Sequence, residues 1–409
     1  MISISDIQTN YGNSMALILL CCRTYFRKTE ISDLNDFISG NNIDWSDCIK
    51  TSRKHQISPL IFKILLKANL PEEIQKKISN LLNKSTLQSF EQAKETERLI
   101  YLLKENNIPV IPYKGTSFSK QFFGNISMRQ SSDIDFVINP NDLSKTIKIL
   151  EKDGFLAYQK EYYHWIGHSK FILKHKDFSF DKYNGNQRIH HVEFHFNIIN
   201  KNTHLPDKTN TFDTNEKTKC LLFQKEIECL NPVVHYRAIA LHHMLMDNMG
   251  YLKTLIDITQ ILIELEKLIK NNKIVSTDQI IINELNSNYN LNSIRNAITN
   301  IIGINFKENQ KSENPLINRI LNSSYRKVRE HKFPLFDAIS YNYYQLKFTA
   351  NFYTNKRDKN LYILKNLISI SYPQPEDYMA IKLNRKLYFL YYLIRPFRLI
   401  LFPGNPNKK

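Results

Sequence analysis

The stretch VIPYKGTSFSKQFFGNISMRQSSDIDFVI, residues 110–138, constrains this chain more than any other. It reads as a short apolar run over 110–113, a Lys114-Gly115 turn, a helix of two turns over 116–123, a polar loop, and a β-run carrying Asp133-Ile134-Asp135. On a strand of period 2 the two carboxylates project from one face while Ile134 and Phe136 point the other way. Like charges that close repel by roughly 1 to 4 kcal/mol unless a cation sits between them. Oxygen ligands of this kind suit Mg²⁺, which takes one or two carboxylates and completes its shell with water and phosphate oxygens. The plainer reading is a pair of aspartates at an exposed strand end. Gly115 weighs against it, because a helix opening there offers free N–H groups and a positive dipole end to a phosphate in the same sequence unit.

A site of this kind needs a third acid, on another strand facing the same way. The later run that alternates well is His191-Val192-Glu193-Phe194-His195-Phe196-Asn197. Val192, Phe194 and Phe196 make an apolar face, and Glu193, His195 and Asn197 a polar one. Glu193 is thus a strand carboxylate able to face Asp133 and Asp135, and His195 shares its face.

Lys114-Gly115, then Arg129-x-x-Ser132-Asp133-Ile134-Asp135, then Glu193 and His195, resemble the uncharacterised nucleotidyltransferase family, a branch of the DNA polymerase β-like superfamily. Gly115-Thr116 stands where that superfamily usually has Gly-Ser or Gly-Gly. The resemblance extends over residues 45–62, around His55, and 241–261, and so spans roughly residues 40–265. It implies transfer of a nucleoside monophosphate from an NTP to an acceptor hydroxyl or phosphate, with release of pyrophosphate. Asp133, Asp135 and Glu193 would be the catalytic residues and the ligands of Mg²⁺ or Mn²⁺. Lys114, Gly115, Thr116, Arg129 and Ser132 would bind the nucleotide, with His195 and Asp257 behind them. The acceptor is open: a small molecule, a peptide, a protein or an RNA. A non-catalytic protein that keeps the fold and binds nucleic acid or a protein partner is the rival reading, and the complete set of three acids favours the enzyme.

At 409 residues the chain can bury a substantial core, and its apolar and charged fractions, 42% and 23%, are those of a globular protein. The formal charge of +17 suits acidic partners such as nucleotides, nucleic acid or an anionic membrane surface, although the lysines are scattered. Five cysteines with no C-x-x-C pair favour a reducing cytoplasm over a disulfide framework or a thiolate zinc site. The apolar stretch 15–22 is too short to span a membrane, and no transmembrane or targeting segment is legible.

These patterns predict an α+β fold in which a small mixed sheet forms a nucleotidyltransferase core between N-terminal and C-terminal helical regions. The divisions are residues 1–107 as a helical cap, 108–200 as the core and 201–409 as a helical region. Helices are expected over 43–55 with Asp44 as N-cap, over 59–70, and over most of 71–107. Within the core, 143–151 should be helical and closed at Gly154. Segments 155–164 and 168–175 should form an antiparallel pair, and a polar hairpin over 181–187 should lead into the Glu193 strand. The sheet should carry its three carboxylates at one edge. The histidines at 164, 168, 175, 190, 191 and 195 fit no zinc spacing. Beyond Thr203 the periodicity is helical. Asp257 lies in an apolar stretch and needs a partner, either another helix or the cleft opposite the acids; His242 and His243 carry the same ambiguity. Tyr341, Tyr343, Tyr344, Phe348, Phe352 and Tyr353 recur at helical spacing, as core residues do. Residues 376–409 carry seven Lys/Arg against two acids, which suits packing on the domain or a weak contact with an anionic surface.

Overall fold

A computed structural model describes residues 1–306, 315–322 and 335–401 of the chain. The fold is α+β, a mixed five-stranded sheet and a two-stranded ribbon set among helices. Helix Trp45–Lys54 starts where expected because the Asp44 side chain accepts the Asp47 N–H at 2.9 Å. Helix Ser58–Leu65 carries Pro59 in its first turn. Helix Glu72–Glu105 runs 34 residues, about 50 Å. Asn107 then turns the chain at φ 57° into the sheet.

The strands are β1 (Val110–Pro112), β2 (Ile134–Ile138), β3 (Leu156–Ala157), β4 (Asp177–Asn184) and β5 (Gln187–His195), in the spatial order β1-β2-β5-β4-β3. β2 and β5 run parallel, and the other pairs are antiparallel. The acid-bearing strands are therefore neighbours in the interior of the sheet, not at its edge as the sequence suggested. Alternation sorts the side chains as expected. Ile134, Phe136, Ile138, Val192 and Phe194 enter one apolar cluster, backed by helix Leu143–Lys152. Ile111, Tyr113 and Val137 join the larger cluster on the opposite face, which the N-terminal helices share with helices Pro232–Leu245 and Leu252–Lys270.

Two local expectations are corrected. Residues 155–164 and 168–175 do not form an antiparallel pair: apart from the two residues of β3 they are the short helices Lys160–Ile166 and His168–Lys174, joined at Gly167 with φ 85°. Tyr162, Tyr163, Ile166 and Phe171 pack inward on a helical period, and tertiary burial overrode the strand-like aromatic content. The antiparallel pair is instead β4 with β5, turned at Gly185-Asn186, so residues 181–184 lie within a strand. The second correction lies beyond Thr203, where a hairpin of β6 (Lys217–Leu221) and β7 (Glu226–Leu230) precedes the helices. Its alternating charges pair across the strands as Lys217–Glu228 at 2.8 Å and Lys219–Glu226 at 2.9 Å.

At the C-terminal end, Phe352 and Tyr353 are core residues whereas Tyr343 and Tyr344 are exposed; the side chain of Tyr341 lies outside the described residues. Arg395 and Arg398, on helix Tyr391–Leu401, both pair with the fully buried Asp377, packing that part of the basic tail on the domain. Residues 402–409 of the tail lie outside the described residues. No described helix is long and apolar enough to cross a membrane.

Candidate active site

β2 and β5 put Asp135 directly opposite Glu193 in register. On β5 the period of two brings His191 and His195 to the same face, and β4 adds Asp177 and Asp181 from its own partners of that face. His195 Nε2 lies 2.9 Å from Asp135 Oδ1 and 3.2 Å from Glu193 Oε2, and His191 Nε2 lies 3.2 Å from Glu193 Oε1. One ligand atom each from Asp135, Glu193 and His195 falls within 4.8 Å of the others. This cluster keeps two of the three acids expected as metal ligands and has His195 where Asp133 was expected. Asp133 precedes the first residue of β2 and lines the same cavity.

That cavity, about 360 Å³, is lined by the acids Asp133, Asp135, Glu193 and Asp247 and by the cations Lys114, Arg129, Lys176 and Lys253. Ser132 is there too. Gly115 and Thr116 do not line it, although Gly115 is needed beside it: at φ +63° an added Cβ would meet the Asp133 carbonyl at 3.1 Å. The helix it opens, Gly115–Phe123, ends on another positive-φ glycine, Gly124. Asp257 is not a lining residue. It is buried behind the cavity, where Arg129 Nε donates to both its oxygens at 3.1 and 3.0 Å and His243 Nε2 lies 3.2 Å away. His243 Nδ1 in turn meets Asp247 at 2.7 Å, so the partner that Asp257 needed is an ionic chain reaching the cavity wall.

Charge and burial set the protonation states. Burial works to raise the Asp135 pKa, but Lys114 and the His195 hydrogen bond outweigh it and hold the carboxyl below its ordinary range. Glu193 is likewise held well below, its burial overcome by hydrogen bonds to His191 and His195. Asp133 goes the other way, raised by burial and then by the neighbouring Asp135 charge. Burial lowers Lys114 and takes Lys253 down to about 8. His242, 3.4 Å from Lys114 through either ring nitrogen, is pushed well down by burial and by that lysine.

Lys176, Asp247, Lys253 and Gln56, with Ser131, Tyr251 and Thr254, are the cavity residues that sequence reasoning missed. Lys176 precedes β4, Asp247 lies within the turn after Pro232–Leu245, and Gln56 sits at φ 57° between two helices. A lysine among 56 Lys and Arg carries no signal of its own; the His242-His243 pair, already ambiguous, was the nearest pointer to this wall.

A mixed sheet with paired carboxylates on adjoining strands, faced by lysines and a glycine-opened helix, is an α+β fold with an acidic centre able to hold a metal. Residues 41–280 match the uncharacterised nucleotidyltransferase family, and the chain belongs to that family. No curated protein and no solved structure matches it.

Proposed function

We propose that this chain is a divalent-metal-dependent nucleotidyltransferase, moving a nucleoside monophosphate from an NTP to an acceptor hydroxyl or phosphate and releasing pyrophosphate. One observation carries the reading: a single cavity presents clustered carboxylates and four cations together. A metal–polyphosphate complex needs both signs of charge in one place.

The residues fit the ion. The carboxylates of Asp135 and Glu193, within 4.8 Å of each other and of His195, offer the oxygen donors that suit Mg²⁺ or Mn²⁺. Asp135 and Glu193 would hold it, with Asp133 at the start of β2. When bound, the ion supplies charge neutralisation to the triphosphate and polarises the α-phosphate. Lys114, Arg129 and Lys253 contact phosphate oxygens, and the Gly115 turn packs against the Asp133 carbonyl beside them. His195 orients both carboxylates through its hydrogen bonds. In the transfer, an acceptor oxygen forms a bond to the α-phosphorus and the bond to the bridging α–β oxygen breaks. Pyrophosphate leaves, and the acceptor proton passes to a carboxylate of the site, with Glu193 either completing the ion's ligand set or taking that proton.

Residues 108–200 are the catalytic unit in this reading, 1–107 cap it and 201–409 close it. Gln56 from the first region and Lys253 from the last both reach the cavity. A cytoplasmic setting goes with it, since all five cysteines are unbridged and four are buried.

The test offers purified protein, Mg²⁺ or Mn²⁺ and each α-labelled NTP to fractions of cell lysate. Label should move to one acceptor class with stoichiometric pyrophosphate, and Asp135→Asn should lose the transfer. No labelled product under either metal with any of the four nucleotides would overturn the reading.

A further inference from the structure

A second cavity, about 510 Å³, adjoins the first. No residue lines both, but at two places in the chain consecutive residues line one and then the other. Lys174 and His175 line the second and Lys176 the first; Leu245 and Met246 line the second and Asp247 the first. Two stretches of backbone therefore separate the second cavity from the one that holds the acidic centre.

Its lining has a definite chemistry. Asn200, Asn202, Thr203, Asn366, Ser369 and Gln374 present neutral donors and acceptors. Arg395 and Arg398 line it as well, and both are pinned to Asp377, whose side chain is 0% exposed. Two guanidinium groups against one carboxylate leave a positive charge uncompensated beside the cavity, and Lys174 balances Glu376 across it. A carboxylate that fully buried holds its arginines in one geometry, which is how a site for an oxyanion is preorganised. His175 adds a buried imidazole to the wall, 8% exposed and stacked on Phe171.

We propose that this second cavity, lined by Asn202, Ser369, His175 and the Arg395–Arg398 pair, is the acceptor site, and that it takes a hydroxyl-rich small molecule bearing a phosphate or carboxylate. The assignment rests on the nucleotidyl-transfer reading of the first cavity. Attacking and leaving oxygens must lie roughly in line through the α-phosphorus, so the acceptor has to enter from a space adjoining the nucleotide's. The size, within the usual 300–1,000 Å³ for small ligands, suits a sugar phosphate. Carboxamides and hydroxyls pair with sugar hydroxyls, and the arginine pair with the anion.

The experiment uses thermal shifts of the whole chain with three probes, glucose 1-phosphate, inorganic phosphate and glucose, and separately with Mg²⁺ and a non-hydrolysable NTP. Glucose 1-phosphate at millimolar concentration should raise Tm by about 2–4 °C, more than phosphate or glucose alone. Two variants avoid the Asp377 pairs, whose loss would threaten the fold. Ser369→Trp fills the cavity, and Asn202→Asp adds a repelling charge without changing volume. Each should abolish the sugar-phosphate shift and keep the Mg²⁺–nucleotide shift. No shift with glucose 1-phosphate, or an equal shift in both variants, overturns the site. A sugar-phosphate shift with no Mg²⁺–nucleotide shift in the wild type sinks the nucleotidyl-transfer reading instead, and with it the acceptor role.

Discussion

Arg129 and Asp257 form an ion pair whose side chains are 4% and 1% exposed, joining the loop before β2 to helix Leu252–Lys270. The guanidinium lies over the Phe118 ring, 5.0 Å from its centroid, so Arg129 is fixed on two sides before any ligand arrives. Removing one member of such a pair leaves the other charged and buried, which typically costs about 3–5 kcal/mol. Asp257→Ala should lower the urea unfolding free energy on that scale. An Arg129→Met/Asp257→Leu double variant should recover most of the loss while binding nucleotide poorly. If Asp257→Ala unfolds like the wild type, the pair carries no structural role.

Lys253 illustrates the opposite balance. Its Nζ donates to Gln56 Oε1 at 3.0 Å, yet burial and the Arg129 charge lower its pKa to about 8. The unfolded chain keeps the proton up to the ordinary lysine range near 10.4, so between about pH 8 and 10.4 the unfolded state binds more protons and stability rises with pH. Below pH 8 the full penalty of a buried charge is present. Lys253→Met should therefore be more stable at pH 7 by about 1–3 kcal/mol and lose the rise above pH 8. It should also weaken Mg²⁺–NTP binding roughly 10- to 100-fold through the lost charged contact. A variant both less stable and unimpaired in binding would reverse both assignments.

The sequence made the β2 and β5 faces legible because a strand has one period and two faces, and Asp133-Ile134-Asp135 and His191 to Asn197 each declare theirs. Register was the uncertain step, since a slip of one residue would have sent Glu193 across the sheet; the partner pair Asp135–Glu193 resolves it. What stayed hidden arises from contacts distant in sequence. The Arg129–Asp257 pair spans 128 residues, and Lys176 and Asp247 reach the cavity only through tertiary packing. The helices Lys160–Ile166 and His168–Lys174 are not legible in the sequence because each is only seven residues long, too short for a helical period to outweigh aromatic strand propensity.

Acid should destabilise the fold at its histidines before its carboxylates. His235 stacks on Tyr113 and donates from Nε2 to the Tyr113 carbonyl, and burial lowers its pKa to about 4. His175, also lowered to about 4 by burial, behaves alike. From the ordinary histidine value near 6.5 down to about 4 the unfolded chain takes up protons that the folded one refuses, so stability falls as pH drops through that window. His235 alone should contribute up to about 3 kcal/mol of that fall. Denaturant melts at half-unit steps from pH 7 to 4 would measure it. His235→Phe should be less stable at pH 7, with the Tyr113 carbonyl unpaired, but should show a shallower slope. An unchanged slope would exclude His235 as a source.

Glu193 is the residue whose two proposed roles make different predictions. Its carboxylate is held ionised by His191, His195 and, at 3.9 Å, Lys176. Glu193→Gln keeps the shape and an oxygen but removes the charge. As a proton acceptor, its loss should cut turnover by roughly 10² or more, with the metal concentration for half-maximal rate unchanged. As a ligand, its loss should raise that metal concentration, and excess Mn²⁺ should restore part of the rate. Asp135→Asn serves as the reference, because Asp135 faces the same space and shares His195 with Glu193. It should lose both metal binding and transfer. Metal titrations of the two variants, read as rate against Mn²⁺ concentration, separate the roles. Wild-type turnover in Glu193→Gln at low metal would remove Glu193 from the site altogether and leave Asp133, on the same cavity wall, as the partner of Asp135.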